Sequence, residues 1–326
     1  MRAPSTVTLN QLRDAAAEPS VVEIRFPASG ALGTARALLE LTKPGVTRLV
    51  MVTALCGALA APGDMAWPTL VLALFGTCLV VGSANALNMF LERDVDAKMT
   101  RTAGRPLPSG RLSAEQALRF GLLLAALGLP ILLFGVNPVS GLLAALALVS
   151  YVAVYTPLKR VSDFALHVGA IPGALPPVIG YAAMTGDVGV EAVLLFATLF
   201  VWQLPHFAAI TIFRRTEYQR AGLKVIAVQR GVARAKRFIV FHSVVLLGVS
   251  LLPTALGVAG WVYFSIAALS GSAFLLFGLY GGGWLPVGPA APRGAVADAQ
   301  WARRLFFASL PYLVLVFAAL VISLAA

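Results

Sequence analysis

Apolar runs near the ~20 residues that carry a helix across a bilayer recur from residue 44 to the end of the chain, and this excludes a large water-soluble core. Nine spans are expected, at 44–62, 67–91, 117–136, 139–157, 164–184, 190–213, 238–257, 260–280 and 305–325. The chain of 326 residues is 59% apolar and only 12% charged, so the reading is an all-α polytopic membrane protein. Its domain plan is an amino-terminal arm over 1–42, read as mobile, and one intramembrane domain over 43–326. Within that domain 281–299, rich in Gly, Pro and Ala, reads as a flexible linker. The arm lacks the apolar core of a cleavable signal.

Charge fixes an orientation. All 25 Lys and Arg fall in the arm with the first turn of span 1 and in every second connection, while "APGDMA", "VNP", "TGDVG" and "GVAG" carry none. The positive-inside rule therefore places the amino terminus and the basic loops in the cytoplasm, and nine spans leave the carboxy terminus outside. A formal net charge of +11 raises nucleic acid as a partner, but cations interleaved with spans form no single soluble basic face. Cys56 and Cys78, both inside apolar runs, offer neither a disulfide framework nor metal-ligand spacing.

Topology does not require the acids and amides at the end of span 2. In "NALNMFLERDVDAKMTRTAGRPLPSG", Asn85, Asn88, Glu92 and Asp96 stand at offsets 0, 3, 7 and 11, one stripe of a helix. Their oxygens suit a hard cation such as Mg²⁺, which is commonly held by one or two carboxylates together with substrate phosphates. Arg101 and Arg105 are placed to neutralise a diphosphate, and "RPLPSG" halts the helix and folds the loop back. The plainer alternative is a solvated helix end whose acids pair with neighbouring cations. Two amides further up the stripe, inside the span, favour function.

The run from Asn88 to Asp96, followed by "RT" and "RPLPSG", resembles the first polar motif of the UbiA-type intramembrane prenyltransferases. "LTKPGV" (41–46), "YTPLKR" (155–160), "GAIPGALPPVIGY" (169–181) and "WQLPHF" (202–207) narrow the resemblance to the branch of that family that farnesylates haem. It implies a nine-helix bundle with its active-site mouth on the cytoplasmic side of the inner membrane. The implied reaction joins farnesyl diphosphate to a vinyl group of haem b, with addition of water and release of diphosphate, and its product suits a haem A synthase. Met89 stands where many relatives carry an acid, a departure that favours haem over quinones.

The same resemblance assigns the remaining candidates. Glu217 joins Asn88, Glu92 and Asp96 as a metal ligand, and Arg214 meets phosphate oxygens, in place of the aspartate-rich stretch of the wider superfamily. Within "WQLPHF", His206 lies on the haem side, as an iron contact or as a base for the water that quenches the cation, with a hydrogen-bonded packing histidine as the plainer alternative. Lys159 and Arg160 meet diphosphate, and Tyr155 faces an allylic cation unless it only serves an aromatic belt. Lys43 and Arg48 pair with diphosphate or haem propionates, with snorkelling as the alternative. The rival readings are a UbiA-type enzyme acting on a quinone or chlorophyll precursor, and a transporter, whose polar residues would gather at midplane instead of at one mouth.

Overall fold

In the computed structural model, residues 30–285 and 294–325 are described, and among them every regular element is helical. We number the helices α1 (Ala31–Leu41), α2 (Pro44–Leu59), α3 (Trp67–Asp96), α4 (Ala114–Val136), α5 (Pro138–Leu158), α6 (Ala165–Thr185), α7 (Val190–Phe213), α8 (Arg215–Arg220), α9 (Ile226–Gln229), α10 (Gly231–Ala255), α11 (Trp261–Gly282) and α12 (Ala295–Ala325). Eight of these are long and apolar enough to cross a membrane, and α2, with 16 residues, is a shorter apolar helix. Large apolar side chains such as Phe75, Phe134, Leu142, Val262 and Leu269 face outward, as lipid contact demands.

α6 and α7 are the most enclosed spans, with α2 and α5 packed on α6 and with α10 and α12 packed on α7. Small residues set the closest of these approaches. A Cβ on Gly57 of α2 would lie 1.8 Å from the Pro177 carbonyl oxygen, and one on Gly180 of α6 would lie 1.8 Å from that of Ala54. Lipid tails are as apolar as leucine, so helices in a bilayer associate through this kind of close contact.

Three boundaries differ from the sequence reading. The last residues of the arm form a packed helix: α1 buries Ala37 and Leu41 against Ala86, Met89 and Leu112, and Glu40 pairs with Arg111 at 2.6 Å. Arg111 holds the Glu40 carboxyl below its usual range, chiefly through that hydrogen bond. The linker ends early, since α12 begins at Ala295 and Asp298 already pairs with Lys236 of α10 at 2.5 Å. The rest of the arm, 1–29, and the middle of the linker, 286–293, lie outside the described residues. α10 starts at Gly231, ahead of the expected 238, because a helix continues beyond the apolar layer as long as its polar turns are solvated.

Candidate active site

A cavity of about 210 Å³ opens where α3, α5 and α7 end, which is the end that carries the basic connections. One wall is the stripe of α3: Asn88, Glu92 and Asp96, exposed by only 2%, 6% and 2%. At the close of α3 the Thr102 hydroxyl donates to the Asp96 carbonyl at 2.7 Å. The chain then turns back far enough for Arg105 Nη1 to reach Asp96 Oδ2 at 2.6 Å. Lys43, the N-cap residue of α2, has a left-handed backbone (φ 49°) and donates from Nζ to Asn88 Oδ1 at 2.9 Å.

The opposite wall comes from α5. Its last part, Ser150–Tyr155, widens into a π-turn ahead of Pro157, which has no N–H to give. Tyr151 and Tyr155 line the cavity with ring centroids 5.4 Å apart, and Lys159 Nζ lies 4.7 Å from the Tyr155 centroid while bonding Glu92 Oε1 at 2.6 Å. Gly169 makes room for this tyrosine, since a Cβ there would fall 2.4 Å from the ring. Phe207, Ile210 and Thr211 of α7 form the floor, and Tyr218 with Leu223–Ile226 closes over the top.

The lining carries five cations, Lys43, Arg101, Arg105, Lys159 and Lys224, against Glu92, Asp96 and Asp163. Asp163 is moreover committed to Arg230, at 2.5 Å, so the cavity favours an anion of more than one charge. Burial, together with Arg105 and Lys159, pushes the Lys43 ammonium down to about 7, as expected where cations crowd. Burial raises the Tyr218 phenol. The donor set of two carboxylates and an amide on one stripe fits Mg²⁺ in kind. Among the described residues no three His, Cys, Asp or Glu side chains cluster to hold a metal, so other ligands must come from phosphate or water.

The cavity thus unites Lys43, Asn88, Glu92, Asp96, Arg101, Arg105, Tyr155 and Lys159, but six expected residues are absent from its lining. Asn85 shares the stripe at a different depth, and its amide donates to the Thr42 carbonyl at 3.0 Å, fastening the α1–α2 turn. Arg160 follows Lys159 but turns to the Leu91 carbonyl at 2.6 Å. Arg48 is exposed on α2, and Arg214 is held by Glu217 at 2.7 Å, leaving Glu217 Oε2 buried with no partner. His206 is rotated by about 100° from Phe207, which puts its ring against α12. There it stacks between Trp202 and Phe306, at 4.5 and 4.3 Å, with Nδ1 2.6 Å from Ser309 Oγ. The "WQLPHF" motif therefore ties helices together: Trp202 Nε1 donates to the Ser309 carbonyl at 2.7 Å, and Gln203 Nε2 to that of Ala170 on α6 at 3.3 Å. The sequence reading missed Tyr151, Thr156, Asp163, Phe207, Tyr218 and Lys224. Of these only Tyr151 had a readable signal, one helical turn before Tyr155.

The sequence profile of the UbiA prenyltransferase family matches residues 49–283. The chain belongs to this family. Among UbiA relatives, a protoheme IX farnesyltransferase of Sorangium cellulosum is 53% identical over 254 residues, 78% of this chain and 87% of the relative. One from Myxococcus xanthus is 43% identical over 88% of this chain and 94% of its own length, and one from Parvibaculum lavamentivorans 37% identical over 98% and 95%. Solved structures share the UbiA fold. A digeranylgeranylglyceryl phosphate synthase gives a TM-score of 0.72 at 18% identity, covering 90% of this chain and 99% of its own. A UbiA homolog from Archaeoglobus fulgidus bound to GPP and Mg²⁺ gives 0.61 at 17% identity, covering 87% and 99%.

Proposed function

We propose that the protein transfers the farnesyl group of farnesyl diphosphate to a vinyl group of haem b, with addition of water, releasing diphosphate and giving haem O. The relatives that match over most of the chain are protoheme IX farnesyltransferases. The observation that carries the chemistry is the cavity itself, where five cations and a stripe of oxygen donors face a pair of tyrosine rings.

Lys43, Arg101, Arg105 and Lys159 take the diphosphate oxygens. As Arg105 and Lys159 turn to the phosphates, Asp96 and Glu92 lose their partners and, with Asn88, become donors for Mg²⁺. Bound there, Mg²⁺ supplies neutralisation of the charge that grows on the departing diphosphate. The cations hold the leaving group while the C1–O bond of farnesyl diphosphate breaks heterolytically. Tyr151 and Tyr155 present their π faces to the allylic cation, and Phe207, Ile210 and Leu223 keep water from it. The vinyl π bond attacks C1. Water adds to the resulting cation beside the porphyrin with loss of a proton, leaving a hydroxyethylfarnesyl group.

The distribution of cations supports a cytoplasmic mouth in the inner membrane, with the amino terminus inside and the carboxy terminus outside. Onward transfer of the product to a haem A synthase is part of the same reading. The test is purified protein in detergent with farnesyl diphosphate, haem b and Mg²⁺. Extracted pigment should gain one farnesyl and one hydroxyl group, with release of diphosphate. Prenylation of a quinone precursor while haem is left untouched would replace this reading by its nearest rival.

A further inference from the structure

Every hydrogen bond around Asn88 has a direction that can be assigned. The π-turn of α5 leaves the Tyr151 carbonyl accepting both the backbone N–H and the hydroxyl of Thr156, the latter at 2.8 Å. A carbonyl cannot donate, so the Thr156 hydroxyl proton is committed and its oxygen can only accept. It accepts from Asn88 Nδ2 at 3.1 Å. The second Nδ2 proton goes to Glu92 Oε2 at 2.9 Å, which leaves Oδ1 turned to Lys43.

In the resting site Lys43 and Glu92 alone would fix this orientation, because a flipped amide would set donor against ammonium and acceptor against carboxylate. Both of them change partners when a metal diphosphate binds: Lys43 is drawn to phosphate and Glu92 to the cation. Thr156, neutral and 1% exposed, has nothing to exchange. We infer that Thr156 is a positioning residue that keeps the Asn88 oxygen aimed at the cation site through turnover, relaying the direction set by the Tyr151 carbonyl. This rests on the diphosphate reading of the cavity.

Thr156→Val keeps the shape and removes the hydroxyl, while Thr156→Ser keeps the hydroxyl. The readout is farnesyl diphosphate binding without haem, measured by calorimetry in detergent with and without Mg²⁺, beside thermal unfolding of each variant. By linkage, Mg²⁺ tightens diphosphate binding by the same factor as diphosphate tightens Mg²⁺ binding. The parent and Thr156→Ser should show that tightening in full. Thr156→Val should lose roughly tenfold of it, the worth of one oriented hydrogen bond, yet match the parent without Mg²⁺, where only the cations act. Equal tightening in Thr156→Val overturns the inference, and so does a Thr156→Ser variant that behaves like Thr156→Val, since packing would then explain both. If Mg²⁺ does not tighten binding in the parent, the diphosphate reading fails and the inference falls with it.

Discussion

Asp96→Asn separates the chemistry of the site from its contribution to stability. Asp96 Oδ2 lies 2.6 Å from Arg105 Nη1, with side-chain exposures of 3% and 22%. Deleting one partner of a fully buried pair costs about 3–5 kcal/mol, because a charge is stranded. Asparagine keeps an acceptor for Arg105, and that guanidinium opens on the cavity, so the loss here is nearer 1–2 kcal/mol. Turnover should suffer more. If Asp96 helps hold the cation that faces the leaving group, its charge is worth about 3–4 kcal/mol in the transition state, a fall of roughly 10²–10³ in kcat. The assay pairs haem O formation, read by chromatography of extracted pigment, with thermal unfolding followed by tryptophan fluorescence. A folded Asp96→Asn protein whose kcat stays within about threefold of the parent at limiting Mg²⁺ would refute the reasoning.

His206→Ala should lower the unfolding temperature, by about 2–3 kcal/mol of stability, because it empties a stacked site and removes the bond to Ser309, whose hydroxyl keeps only the Phe306 carbonyl. Its farnesyl diphosphate affinity should match the parent's, and a loss of roughly tenfold or more in a folded variant would return His206 to the cavity. Gly57→Ala forces a Cβ to within 1.8 Å of the Pro177 oxygen and should cost about 3 kcal/mol or more, visible as lost folded yield. Gly104→Ala, with open space around its Cβ, is the matched control and should be silent. For orientation, Gly104→Cys and Gln219→Cys should react with impermeant thiol reagents only from the cytoplasmic face, and Asp64→Cys only from outside; the reverse pattern inverts the topology.

The position of the site was readable because one helix supplies its oxygen donors: Asn88, Glu92 and Asp96 are spaced so that a regular helix must put them on one face. Periodicity gives the face but not the depth, so Asn85, in phase with the others, proved to serve the α1–α2 turn. Neighbours in sequence diverge in the same way at Lys159 and Arg160, and at Phe207 and His206, where only the first of each pair lines the cavity. The second member of the first pair and of the last pair carries the stronger chemical signal, yet it faces a neighbouring helix. Thr156 was illegible for another reason. An uncharged residue before a proline reads as the end of a helix, and only the π-turn reveals that its hydroxyl is spoken for. The nine apolar runs were plain because lipid contact imposes them, whereas the helical end of the arm rests on one alanine, one leucine and an ion pair, too few positions to make a periodic signature.

The shortness of α2 bears on the surrounding lipid. Sixteen residues at 1.5 Å each reach about 24 Å, against ~30 Å of hydrocarbon. Its first end is fixed, because Lys43 is fastened to Asn88 at the cavity, so the shortfall is left at the other end, around Ala60 to Ala66. Gly57 and Gly180 keep α2 from sliding along α6 to make it up. Local thinning of the bilayer beside this helix is one accommodation of such a shortfall, at a cost of fractions of a kcal/mol for each ångström. Acyl-chain length in the host membrane thus becomes a variable that pulls directly on the helix carrying Lys43.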